Sequence, residues 1–394
     1  MTKEQDMEAV YFDHAATTPL DERVLEAMKP YFIEHYGNAN SAHQRGNKTK
    51  VAVEEARETI AELIGAEPAE IIFTSGGTES DNAALKGVVG ATGKTEIVTS
   101  PLEHHAVLHT AEALKRSGVQ PVYVEPDKRG VITPKKVAEA ITDDTALVSL
   151  MHVNNEIGII NPLQEIAEVC KAHQVPLHSD TVQSIGKLPV DVDDLGIDLL
   201  SMSGHKIYGP KGIGVLYVRH ATPWLPSMHG GSQERRRRGG TLNVPGIVGL
   251  ARALELCIDS MEEHTTHFKK LRQRLIEDLD EKFGDCYRIN GSPEQGVPHI
   301  VNLAFTGSQG GLDGEMLLLN LDVEGICVSN GSACTSGAVE PSHVLDGIGL
   351  DTETANSSIR ISMGKDNTVE DIDYLVDQLD VVVRRMTKTT HASP

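Results

Sequence analysis

Two hydrophobic periods run through this chain. Short apolar runs recur, among them Ile71-Ile72-Phe73, Ile97-Val98, Ala146-Leu147-Val148, Leu199-Leu200 and Val215-Leu216-Tyr217-Val218. Between them lie longer stretches whose apolar positions fall three and four apart, as in Val24, Met28, Tyr31 and Phe32. The first pattern predicts buried strands and the second amphipathic helices. Strands are therefore expected at Val10–Phe12, Glu70–Thr74, Glu96–Ser100, Pro121–Glu125, Ala146–Leu150, Pro176–Ser179, Ile197–Ser201 and Gly212–Val218. Helices are expected over Asp21–His35, Asn47–Ile64, an Ala-rich stretch after Asn82, Ala106–Ser117, Thr133–Ala140 and Leu163–His173. A longer helical run spans Pro245–Phe283, with Ile247, Leu250, Leu254, Ile258 and Met261 in register.

Strands alternating with helices of these lengths predict parallel βαβ units with right-handed crossovers, hence an α/β fold with helices on both faces of a mainly parallel sheet. Ligands collect at the carboxyl ends of such strands. His104, Asn155, Asp180, Gln183 and Lys206 all fall there. With 394 residues the chain accommodates a large domain and a smaller one. The expected division is a large domain over residues 18–259 and a small α+β domain from 1–17 and 260–394.

Charge and cysteines narrow the setting. A net charge of −21 argues against a nucleic-acid surface. The run Arg235-Arg236-Arg237-Arg238 abuts Gly239-Gly240-Thr241 and is expected to serve local architecture. The start Met1-Thr2-Lys3-Glu4-Gln5-Asp6 has no apolar segment behind it, and no apolar stretch reaches membrane-spanning length, so neither a leader nor a membrane partner is expected. The five cysteines are odd in number and form no CxxC pair, which suits a reducing cytoplasm. His104, His105 and His109 cluster without matching acids or thiols, so no metal is expected.

Candidate chemistry centres on Ser203-Gly204-His205-Lys206, set between two apolar runs. A lysine held on a tight turn at a strand end loses hydration, which favours the free amine needed for Schiff-base chemistry. The same stretch also describes a surface lysine in a Gly-rich turn. Ser75-Gly76-Gly77-Thr78-Glu79-Ser80 follows a strand and opens a helix. Its unpaired N–H groups suit a phosphate, with Thr78 and Ser80 adding hydroxyls, or the motif is simply a capped helix. Asp180, three residues before Gln183, ends a strand and reads either as a partner for a protonated ring nitrogen or as a helix cap. His104 reads as a stacking residue or as a histidine at a helix start.

Together, a lysine, a strand-end aspartate, a phosphate-cradling turn and a stacking histidine describe a pyridoxal 5′-phosphate site. The chain resembles cysteine desulfurases of the NifS/IscS type, in the class V aminotransferase superfamily. The resemblance rests on Tyr11-Phe12-Asp13-His14-Ala15-Ala16-Thr17-Thr18, Gly76-Gly77-Thr78-Glu79-Ser80, Glu103-His104, His152-Val153-Asn154-Asn155-Glu156-Ile157-Gly158, the lysine stretch and Gly239-Gly240-Thr241. It continues through Ser329-Asn330-Gly331-Ser332-Ala333-Cys334-Thr335-Ser336 and Ser358-Ile359-Arg360, nearly the whole chain. Thr181 and Gly239 depart from residues frequent in the family, without removing a group the chemistry needs.

The resemblance implies fold type I of the pyridoxal-phosphate enzymes and a cysteine desulfurase, with selenocysteine lyase or another class V enzyme as the alternative. Lys206 would carry the cofactor and move protons at the substrate α-carbon. Asp180 would hold the ring nitrogen, Gln183 the ring oxygen, and His104 would stack on the ring. Gly77, Thr78, Ser203 and His205 would grip the phosphate. Thr241 would complete the partner subunit's phosphate site, implying a homodimer. Asn155 and Arg360 would bind L-cysteine. Cys334, on a loop expected to be mobile, would accept the sulfur as a persulfide and pass it to an acceptor such as an iron–sulfur scaffold protein. Cys327, in Glu324–Val328, reads as a buried apolar strand residue.

Overall fold

The computed structural model describes residues 9–330 and 342–390. The described chain enters on a short strand, β1 (Val10–Tyr11). Seven strands then build the main sheet: β2 (Ile71–Thr74), β3 (Glu96–Thr99), β4 (Gln120–Tyr123), β5 (Thr145–Ser149), β6 (Leu177–Asp180), β7 (Leu199–Ser203) and β8 (Gly214–Val218). Their spatial order is β2-β8-β7-β6-β5-β3-β4. The pairs from β4 across to β7 are parallel, whereas β8 runs antiparallel to both β7 and β2. All strands except β8 therefore point their carboxyl ends the same way. The order reverses at β3, which has β4 on one side and β5 on the other, and this is where open α/β sheets form their crevice.

Side-chain alternation explains the layering. Along β2, Ile71 and Phe73 pack into one core while Ile72 packs into the other. Along β8, Val215 and Tyr217 face the first core, and Leu216 and Val218 the second. A sheet apolar on both faces must be covered on both. Helices Gln44–Leu63, Leu163–Ala172 and Val244–Asp259 cover one face, Gly77–Thr92 and His105–Leu114 the other.

The run expected as one helix over Pro245–Phe283 is two. It divides at Ser260 (φ −103°, ψ 9°) into Val244–Asp259 and Met261–Phe283. The two halves serve different cores. Ile247, Leu250 and Leu254 join the main-sheet core, but Leu271, Leu275 and Leu279 pack in a separate cluster with Phe12, Leu303, Ile361 and Val383. That cluster lies against a second sheet made of β9 (Tyr287–Ile289), β10 (Ile300–Phe305) and, beyond β11 (Ile326–Cys327), β12 (Ser358–Ser362). β10 is central and antiparallel to both neighbours, and β11 pairs in parallel with β1. Cys327 lies on the strand its sequence suggested but is only half-buried, because that two-stranded edge pairing leaves one side open.

The arginine run is architectural. Glu234, Arg235 and Arg236 sit in the left-handed region, with φ of 43°, 54° and 67°. Non-glycine residues adopt that conformation at a cost, so something must hold them. The buried Glu234 carboxylate does so, accepting from Arg57 Nη1 and Nη2 at 2.8 and 2.7 Å and from the Phe73 N–H at 2.9 Å. Arg238 binds Glu79 through two hydrogen bonds of 2.9 and 3.1 Å, tying the run to the first turn of helix Gly77–Thr92. Glu234→Ala takes the two-pronged partner from the buried Arg57 guanidinium and leaves it only the half-exposed Glu54, 3.4 Å from Nε, so a loss of about 3 kcal/mol is expected in denaturant unfolding. A change below ~1 kcal/mol would show that the pair does not hold the run. Among the described residues, no helix is long and apolar enough to cross a membrane.

Candidate active site

A cavity of about 290 Å³ opens at the carboxyl edge of the main sheet. Gly77, Thr78, His104, Asn155, Asp180, Gln183, Ser203, His205, Lys206 and Arg360 all line it. They come from the ends of β2, β3, β5, β6 and β7 and from β12, so the fold brings together residues far apart in sequence.

After β2 the chain turns through Gly76, whose φ of 149° is a glycine conformation, and enters helix Gly77–Thr92. A Cβ on Gly77 would lie 2.9 Å from Val182 Cγ2, so the backbone needs glycine to approach this closely. The first N–H groups of the helix are left for an anion. Ser80 is not one of the donors, contrary to the sequence reading. It is fully buried, 2.8 Å from Thr74 Oγ1, and donates to the Val215 carbonyl at 3.0 Å. His205 reaches the Thr17 hydroxyl at 3.1 Å, and burial first, then Lys206, pushes its imidazole down to about 4.

Lys206 ends the turn Gly204–Lys206 that follows β7 directly. Its Nζ donates to the carbonyls of Ala15 at 2.6 Å and Ala16 at 2.8 Å. The segment after β1 is thus threaded under the lysine.

Asp180 accepts from the Val182 N–H at 2.9 Å, and burial pushes its carboxyl up to about 6 against the pull of that bond and of Lys206. His104 caps helix His105–Leu114, its Nδ1 accepting from the Ala106 N–H at 3.1 Å, which leaves the ring proton on Nε2. Burial, followed by Lys206, pushes this imidazole down to about 4, so it is neutral at neutral pH. Asp180 and His104 each accept a hydrogen bond from the backbone two residues on, and each lines the cavity.

Arg360, on β12, is 2% exposed, with Nη2 2.7 Å from Asp13 Oδ1 and Nη1 2.9 Å from the Asn155 carbonyl. Thr241 is exposed and is not among the residues lining this cavity within the single chain. Cys334 lies outside the described residues.

Asp81 lines the cavity and was not singled out from the sequence, and Glu103 and His178 support the lining from behind it. Asp81 is one helical turn beyond Gly77 and equally buried, with atoms of Asp81, His104 and Asp180 within 4.8 Å of one another. Burial and then the Asp180 charge hold the Asp81 carboxyl well above its ordinary range. The i,i+4 spacing from Gly77 was its available signal. Glu103 accepts from the Met151 N–H at 3.1 and 2.9 Å and fixes the turn after β5. His178, beneath Asp180, is locked between Ser149 at 2.8 Å and Ser201 at 3.0 Å.

The model of the family described as Aminotransferase class-V matches residues 10–375. The chain belongs to the class-V aminotransferase family. It is 46% identical over 379 residues to "Cysteine desulfurase IscS" of Dictyoglomus turgidum, covering 96% of this chain and 95% of that one. It is 47% identical over 389 residues to the protein of the same name from Methanosarcina thermophila, covering 98% and 95%. Among solved structures, a "NifS-like protein" superposes with a TM-score of 0.89 at 39% identity, covering 96% of this chain and 100% of that one. A structure described as "SspA in complex with cysteine" gives 0.78 at 38% identity, covering 90% and 98%. For a class-V chain, the mainly parallel sheet with a smaller companion sheet is the family's architecture.

Proposed function

We propose that this class-V chain is a pyridoxal 5′-phosphate-dependent cysteine desulfurase that forms L-alanine from L-cysteine and carries the sulfur on Cys334. The observation that carries the reading is one cavity shared by a lysine amine, a buried acid, a neutral imidazole and a glycine-lined helix start. The name of the relatives and the cysteine bound in a similar structure agree with it.

The residues fit this cofactor. The helix start at Gly77 and Thr78, with Ser203 and His205, suits a phosphate. Asp180 is a buried acid that would hold a cationic ring nitrogen, Gln183 would offer an amide N–H, and Lys206 would offer the amine. When bound, the cofactor supplies an electron sink for charge that develops on the substrate carbons. Lys206 moves protons at the α-carbon, and Arg360 and Asn155 hold the carboxylate. In the net reaction the C–S bond of cysteine breaks and an S–S bond to Cys334 forms. The carbon left behind takes a proton and becomes the alanine methyl group.

A homodimer is part of the proposal. Thr241 lies outside its own chain's cavity, and Phe32, Ile33, Tyr36 and Val51 present exposed apolar surface of the kind a second copy covers. The proposed sulfur acceptor is an iron–sulfur scaffold protein, and the proposed setting is the cytoplasm.

Purified protein given L-cysteine and a reductant is expected to release alanine and sulfide in equal amounts, and absence of alanine would overturn the assignment. In the same assay Arg360→Lys loses the planar two-pronged grip on a carboxylate, so KM should rise about tenfold with a smaller change in kcat. An unchanged KM would remove Arg360 from the substrate site.

A further inference from the structure

Lys187 is a half-buried lysine that the chemistry above does not use. Its Nζ donates to Gln183 Oε1 at 3.1 Å, while Gln183 Nε2 donates to the Ala15 carbonyl at 2.8 Å. That same carbonyl accepts Lys206 Nζ at 2.6 Å. The two lysines are therefore joined by a short relay through one amide and one carbonyl. No carboxylate lies within ion-pairing distance of Lys187 among the described residues.

Both partners of the Gln183 amide are unambiguous in role. An ammonium only donates and a carbonyl only accepts, so Oε1 must face Lys187 and Nε2 must face Ala15. Nε2 carries a second hydrogen, and Gln183 lines the cavity. The amide thus presents an N–H, not an oxygen, to whatever occupies the site.

We propose that Lys187 is a positioning residue of this site: its ammonium fixes the Gln183 amide with an N–H toward the cavity, and its charge acts on the nitrogen of Lys206. This rests on the cofactor reading above and adds to it a residue that touches neither cofactor nor substrate.

The surroundings of Lys187 make its charge effective. It faces Lys206, His205, His14, His299, His264, Tyr208 and the Cys257 thiol, the last five around a small cavity or beside it. Burial pushes His14 down to about 4 and holds His299 well below its usual range, so these rings are neutral. Burial, then the Lys206 charge, pushes Lys187 itself down to about 7, against a smaller opposing pull from Cys257. A nearby cation makes it harder for a second nitrogen to hold a proton, a device other lysine enzymes use.

The test is a pH titration of the visible absorbance of the loaded protein, without substrate, in Lys187→Met, Lys187→Gln and Lys187→Arg. Removing the cation lets the neighbouring nitrogen keep its proton to higher pH, so in Lys187→Met the midpoint should rise by about one pH unit, a tenfold change. Lys187→Arg should restore the wild-type midpoint. Lys187→Gln keeps a donor for Gln183 but no charge, and should show the raised midpoint while retaining more cofactor than Lys187→Met. If Lys187→Met is not recovered folded, the Gln and Arg variants alone decide, because they differ in charge. Equal midpoints in the Gln and Arg variants overturn the proposal. A wild-type protein with no visible band overturns the cofactor reading instead, so the two failures are distinguishable.

Discussion

Lys206→Ala is expected to abolish alanine formation, with a loss of about 10⁴-fold or more, the upper end of what a positioned proton carrier contributes. On the proposed reading the residue combines two duties on one nitrogen, covalent attachment of the cofactor and proton transfer, so its loss would remove both. The geometry explains why no neighbour substitutes. Lys206 Nζ is aimed by the Ala15 and Ala16 carbonyls at 2.6 and 2.8 Å, whereas Lys187 points at Gln183. Lys206→Arg should not rescue, since a guanidinium does not give up its proton at neutral pH. Borohydride reduction followed by peptide mass spectrometry checks the first duty: wild type should carry the cofactor on Lys206 and the variant nowhere. The variant should still bind cofactor non-covalently through Asp180 and the turn at Gly77. Turnover within tenfold of wild type in Lys206→Ala would falsify the assignment of this lysine.

Much of that site was legible because its parts are local. Lys206 lies between two apolar runs, and both are strands, one ending at Ser203 and the other beginning at Gly214. Asp180 and Gly76-Gly77 likewise sit where a strand stops, a boundary that hydrophobic period marks directly. The antiparallel direction of β8 was legible in principle but not drawn. Ten residues, 204–213, separate Ser203 from Gly214, short of the dozen or so that the crossover of a parallel pair needs.

Long-range pairings carried no such mark. Arg360 meets Asp13 across 347 positions, and Arg57 meets Glu234 across 177. Nothing in the neighbourhood of either residue announces its partner, since a buried pair is specified by the packed fold and not by spacing. Lys187 was passed over for a related reason. Its stretch, Ser184-Ile185-Gly186-Lys187, looks like any polar turn, and only the threading of Ala15 beneath Lys206 gives it a connection to the chemistry. Ser80 shows the converse error. A hydroxyl in a phosphate-type motif looked available, yet it is spent on Thr74 and Val215 inside the sheet.

The other large effect is expected at Cys334. Cys334→Ala should retain the visible absorbance of the loaded protein and lose sulfur transfer by on the order of 10⁴-fold, the scale on which removal of a nucleophile is felt. The thiolate is the reacting species, so a substitute would need a thiol that ionises readily. Burial pushes the Cys170 thiol up to about 12 and the Cys257 thiol up to about 11, and Cys257 Sγ already lies 3.4 Å from the Ile207 carbonyl. Burial and the charges of Asp322 and Asp13 raise Cys327 as well. None of these three takes over at neutral pH. Intact-mass measurement after a single exposure to L-cysteine, without reductant, separates the outcomes. Wild type should gain the mass of one sulfur atom, removable by a thiol, and Cys334→Ala should not. If the variant forms alanine as fast as wild type, the sulfur does not leave through Cys334, and the chain is a lyase of the same family. If the variant instead loses its visible absorbance, Cys334 supports the cofactor site and its role as sulfur carrier falls.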